Sequence, residues 1–132
     1  MNIKQSVIRD LIRHAQGATP LEACGYLAEA DQVVTTAVRL TNVDASPEHF
    51  RFDPAEQFAA VRRVRAAGMR VCGVYHSHPA TPARPSAEDI RLANDPALSY
   101  VIVSLAGSQP EVKSFRIRRG QVESEPLSII EG

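Results

Sequence analysis

Two histidines, two residues apart at the end of the apolar run Val71-Cys72-Gly73-Val74-Tyr75, limit this chain more than any other feature. The run reads as a β-strand, and in a strand residues i and i+2 point to the same side. The Cα atoms of His76 and His78 then lie about 6–7 Å apart, twice the rise per residue. Two imidazoles at that spacing can meet on one ion through bonds of about 2.0–2.1 Å. Asp89, eleven residues after His78, can return to complete a His, His, Asp set. Three protein ligands leave a position open for water, the pattern of a catalytic zinc rather than a structural one. The chain must therefore contain a strand that delivers both imidazoles to one side.

With 132 residues, the sequence is expected to form one domain, residues 1–132. Lys+Arg and Asp+Glu are both 15, and this zero balance argues against a nucleic-acid binder or a polybasic membrane-surface protein. No apolar run approaches the length needed to cross a bilayer. The segment Met1–Ser6 lacks the apolar core of a signal peptide. Cys24 and Cys72 are far apart in sequence and form no C-x-x-C pair. They read as buried thiols of a protein in the reducing cytoplasm.

Ile3, Val7, Ile8, Leu11, Ile12 and Ala15 recur at helical spacing, and Gly17 and Pro20 stop that helix. Glu22–Ala28 reads as a strand, Asp31-Gln32 as a turn, and Val33–Val43 as a β-branched partner strand. The alternation in His49-Phe50-Arg51-Phe52 predicts a short strand. Asp53 and Pro54 suit the N-cap and first position of a second helix, and Gly68 the residue past its end. Phe58, Val61 and Val64 form that helix's expected apolar stripe. After the histidine strand come a stiff proline-containing loop to Pro85 and a short helix from Ser86 to Ala93. A buried central strand, 98–105, follows, and a hairpin of 111–118 with 121–130 turns at Arg119-Gly120. The pattern predicts an α/β (α+β) fold, a mixed sheet with helices packed on it.

Ser86-x-x-Asp89 also has the form of a capping box, which would start its helix with or without a metal. The two roles are compatible. Glu22 by itself reads as a solvated charge at a strand start. His14 and His49 read as surface or packing residues, and Ser77, between the two ligands, points the opposite way. Cys24, two positions after Glu22, reads as a small buried residue.

Taken together, these motifs resemble the JAMM (MPN+) zinc metallopeptidases. That family's signature is a glutamate near the start of an early strand, then His-x-His-Pro, then Ser-x-x-Asp. His76-Ser77-His78-Pro79, Ser86 and Asp89 match at the family's spacing, and Pro20–Leu27 resembles the segment that holds the glutamate. The resemblance implies a curved mixed sheet of the MPN/cytidine-deaminase-like type. It implies one Zn2+ per chain on His76, His78 and Asp89, with Glu22 as general base and Ser86 as hydrogen-bond donor to the oxyanion. It further implies a peptidase or isopeptidase acting next to the C-terminal Gly-Gly of a ubiquitin-like sulfur-carrier protein. A homodimer through a sheet edge or the first helix is compatible with the pattern. Two alternatives remain from the residues alone. Two histidines and a carboxylate also form the facial triad of non-haem iron oxygenases, and the same fold occurs as a non-catalytic MPN-type interaction module.

Overall fold

The computed structural model describes residues 1–132. A short strand β1 (Asn2–Lys4) leads into helix α1 (Gln5–Ala18), whose Val7, Leu11 and Ala15 recur one turn apart and are buried. Strands β2 (Cys24–Ala30) and β3 (Val33–Leu40) form an antiparallel pair around the positive-φ turn Asp31-Gln32. Helix α2 (Pro54–Ala66) starts as its sequence predicts, with Asp53 accepting from the Glu56 N–H and Pro54 at the first position. Strand β4 (Arg70–His78) carries the histidines, α3 (Ala87–Leu92) follows, and β5 (Ser99–Ser104) runs parallel to β4. Strands β6 (Glu111–Arg118), β7 (Gln121–Glu125) and β8 (Ser128–Ile130) complete the chain.

All eight strands join one mixed sheet in the order β7-β6-β5-β4-β2-β3-β1-β8. Irregularities in β2 beside Ala28, against both neighbouring strands, bend the centre of the sheet. One face packs on α1 through Leu27, Tyr75, Val101 and Val103. The other face packs on α2 through Tyr26, Val38, Leu40, Ala60 and Val64, and near α3 through Ile102, Phe115 and Ile117. Gly25 is required at the centre. A Cβ there would stand 2.2 Å from the Val38 carbonyl and 2.6 Å from the Tyr75 ring.

Several expectations change. Ile3, which the spacing assigns to the first helix, lies in β1, and Gly17 falls inside α1, which runs on to Ala18. Pro126, with no N–H to offer the ladder, follows the last residue of β7. The expected long second hairpin strand therefore ends at Glu125, and Ser128–Ile130 crosses to pair with β1 at the opposite edge. The segment 49–52 is not a strand and makes only an isolated bridge between Asn42 and Phe52. Phe58 is exposed with the Arg62 guanidinium over its ring, because the face of α2 turned to the sheet is set by Gln57, Ala60, Val61 and Val64.

His14 packs edge-on against Tyr75, with Nδ1 and the phenol oxygen 2.8 Å apart in a hydrogen bond. Burial, helped by the charge of Arg39, lowers its pKa from 6.5 to about 4. The unfolded chain therefore binds the proton first as pH falls, and His14 contributes a loss of stability between about pH 6.5 and 4. The His14→Gln variant should show a shallower decline across that window, measured as urea midpoints at pH 7, 5.5 and 4.5. A decline identical to that of the unmodified protein would contradict this.

Candidate active site

Strand β4 ends at an open face of the sheet, and its alternation turns His76 and His78 to the same side. Both rings are buried, at 5% exposure each. Their Nε2 atoms lie 3.1 Å apart, and each lies 3.1 Å from Oδ2 of Asp89. The three atoms thus form a nearly equilateral triangle, close to the edge of about 3.3 Å in a tetrahedron with bonds of about 2.0–2.1 Å. They are also the one group of three His, Cys, Asp or Glu side chains in the chain whose donor atoms lie close enough together to hold a metal ion.

Each member is oriented from behind. His78 Nδ1 lies 2.9 Å from the Pro82 carbonyl, a partner for the ring proton on that side that turns Nε2 toward the triangle. The His76 ring stacks on Phe50, with centroids 4.7 Å apart. The loop 79–85 is itself anchored, since Leu105 N–H donates to the His78 carbonyl and the Ser104 hydroxyl to the Thr81 carbonyl. Burial disfavours charge on His78, but the hydrogen bonds to Asp89 and to the Pro82 carbonyl outweigh it and raise its pKa. Burial likewise opposes the Asp89 carboxylate, and hydrogen bonds from both histidines hold its pKa well below the usual range.

The capping box is present. Ser86 Oγ accepts from the Asp89 N–H, and Asp89 Oδ2 accepts from the Ser86 N–H, both at 3.0 Å. The same two bonds fix the Asp89 carboxylate and leave the exposed Ser86 hydroxyl with its own proton to donate.

Glu22 joins the group from the neighbouring strand segment. Cys24 pairs with His76, and the Ser77 N–H donates to the Ala23 carbonyl. Continued by one more residue, this antiparallel ladder sets Glu22 across from His78. Directly opposed residues share a face with Cβ atoms about 4.5–5.5 Å apart. Glu22 is 4% exposed, and its Oε1 is the one buried side-chain polar atom with no hydrogen-bond partner. Burial pushes its pKa up to about 8, while the charge of His78 opposes and those of Asp89, Glu88 and Glu48 add. An unpartnered buried carboxylate oxygen beside three converging donors fits a site built to hold a cation and a water.

The remaining candidates add no donor to this group, although Cys24 stands beside His76 in the ladder. Cys24 turns its Sγ to the Leu40 carbonyl, and burial pushes its pKa up to about 12. Cys72 is also buried and free. His49 is an exposed partner of Asp44. Two contributors carry no signal in the sequence. Phe50 supports His76, and Asn42 ties the site loop together by donating to the carbonyls of Glu22 and His49 and accepting from the N–H groups of Asp44 and Arg51. Beside His76 and Asp89 a cleft of about 390 Å³ opens between aromatic walls that include Tyr26, Phe50, Phe52 and Tyr100.

Residues 4–118 match the family described as prokaryotic homologs of the JAB domain. The chain is 36% identical over 132 residues to the CysO-cysteine peptidase of Mycobacterium tuberculosis H37Rv, covering 98% of this chain and 90% of that protein. It is 36% identical over 107 residues to the desampylase of Haloferax volcanii, covering 79% of this chain and 77% of the relative. The solution structure of a protein from Desulfitobacterium hafniense superposes with a TM-score of 0.91 at 46% identity, covering 99% of this chain and 93% of the other. No helix is long and apolar enough to cross a membrane. By family match, by relatives named as peptidases and by fold, the chain belongs to the prokaryotic JAB family of JAMM (MPN+) metallopeptidases.

Proposed function

We propose that this protein is a zinc-dependent peptidase or isopeptidase that cuts the bond next to the C-terminal Gly-Gly of a ubiquitin-like sulfur-carrier protein. The observation that carries the reading is the 3.1 Å donor triangle with the free buried oxygen of Glu22 beside it. The names of the mycobacterial and haloarchaeal relatives, a CysO-cysteine peptidase and a desampylase, support the substrate class.

In this reading His76 Nε2, His78 Nε2 and Asp89 Oδ2 hold one zinc ion, and residues 1–132 act as one catalytic domain. Bound there, zinc supplies a Lewis acid and lowers the pKa of water from 15.7 to about 7. Glu22 takes the proton of the attacking water at its free oxygen and passes it to the leaving nitrogen. Ser86 gives a hydrogen bond to the oxyanion developing on the scissile carbonyl. The cleft past His76 and Asp89 receives the substrate chain.

Ser86→Ala separates the two duties of that hydroxyl. The lost cap costs about 1 kcal/mol of stability, and the lost oxyanion donor costs about 10²–10³ in kcat. Thermal unfolding and steady-state rates on the same zinc-loaded sample check both. A rate within twofold of the unmodified protein would remove Ser86 from the mechanism.

An iron oxygenase would use the same three donors. The free carboxylate of Glu22 favours hydrolysis, which needs a base at that point. The direct test incubates zinc-loaded protein with ubiquitin-like carriers encoded near its own gene and weighs the products. Hydrolysis adds one water across a bond adjoining Gly-Gly, with no need for oxygen. Turnover that requires iron and consumes oxygen would replace this reading.

A further inference from the structure

Ser77 lies between two proposed ligands, yet its side chain cannot reach the side they share. It is 1% exposed, and its side-chain hydrogen bond crosses to Ala23 in the neighbouring strand segment. Its Oγ accepts from the Ala23 N–H at 2.8 Å, and its own N–H donates to the Ala23 carbonyl at 3.0 Å. Ala23 is bonded in sequence to Glu22. The rest of the Glu22 main chain is held on the other side, by its N–H on the Ser46 carbonyl and its carbonyl on the Asn42 side chain. The Glu22 carboxylate itself has an oxygen with no partner, so nothing at that atom fixes its position. Its aim depends on the main chain beneath it.

From this arrangement we infer that Ser77 is a positioning residue, which ties the general base to the strand that carries the metal ligands. The clamp makes His76–His78 and Glu22–Ala23 one rigid unit. The distance from base to ion then depends on the two hydrogen bonds to this serine together with those that Ser46 and Asn42 make to the Glu22 main chain. An alanine there keeps the main-chain bond but leaves the buried Ala23 N–H without an acceptor, and that N–H must shift to find another. A misplacement of about 1 Å between reacting groups costs about 100-fold in rate. The inference rests on the assignment of Glu22 as base.

The test compares zinc-loaded wild type, Ser77→Ala, Ser77→Thr, Glu22→Gln and the Ser77→Ala/Glu22→Gln double variant on one carrier substrate. Ser77→Ala should keep one zinc per chain and a KM within about twofold, while kcat falls by about 10–100-fold. Ser77→Thr keeps the acceptor and should recover most of that loss. In the Glu22→Gln background Ser77→Ala should cost less than about twofold, because the group it positions is gone. Three results would overturn the inference: a folded Ser77→Ala with wild-type kcat, an equal loss in both backgrounds, or loss of zinc from Ser77→Ala. Should the alanine variant fail to fold, Ser77→Cys, similar in volume and a poorer acceptor, takes its place in every comparison. A wild-type rate for Glu22→Gln would sink the base assignment itself, whereas a normal Ser77→Ala beside an impaired Glu22→Gln sinks only the positioning role.

Discussion

Replacing His78 with alanine should remove zinc and turnover together. His78 supplies one corner of a triangle with only three protein donors, and its Nδ1 contact to Pro82 pre-aims Nε2. Partners that only support a ligand cost about 10–100-fold in metal affinity when mutated, so deletion of the ligand itself should exceed about 100-fold. The two remaining donors, His76 and Asp89, would then keep only their 3.1 Å hydrogen bond. Metal content after dialysis against a weak chelator, paired with a rate measurement, reads both effects. Re-addition of zinc should restore stripped wild type and not the variant. The matching control is His49→Ala, which lies on the surface against Asp44 and should keep full zinc and rate. Protons compete with the metal for the imidazoles, and the raised pKa of His78 strengthens that competition, so zinc affinity should fall as pH is lowered. Full activity in chelator-stripped protein would contradict the whole scheme.

The convergence of His76, His78 and Asp89 is legible in the sequence because it obeys short-range geometry. His76 and His78 share a face by strand alternation, and Asp89 returns because Ser86 caps a helix that points its carboxylate back. The start of α2 was legible for the same local reason, since Asp53 and Pro54 act within one turn. What stayed hidden depends on distant chain segments. Nothing near Ile129 announces that Ser128–Ile130 pairs with residues 2–4, more than a hundred positions away. The alternation of 49–52 suggested a strand, but the chain there answers to Asn42, whose one side chain bonds four main-chain groups. Phe58 looks like core because it is an aromatic within an amphipathic helix, but Ala60 and Val64 are the residues that α2 buries against the sheet. Glu22 is the instructive case. Its residue type and position suggest a solvated charge, and only register across two strands buries it opposite His78.

That burial leads to the second large effect. Glu22→Gln should keep one zinc per chain and lose about 10²–10⁴ of the rate, the usual contribution of a positioned base. Glutamine preserves volume and lets the amide fill the pocket, so the loss is one of proton transfer and not of packing. Proton release gives an independent readout. Without metal, burial holds the Glu22 pKa at about 8, so most molecules carry that proton at pH 7. A dication beside the group favours its charged form, so zinc loading should expel the proton. In weakly buffered solution at pH 7, wild type should release close to one proton more per zinc than Glu22→Gln. The histidines release theirs in both proteins and cancel in the difference. A variant that turns over at the wild-type rate, or that releases the same number of protons, would show that Glu22 neither faces the ion nor handles the proton in catalysis.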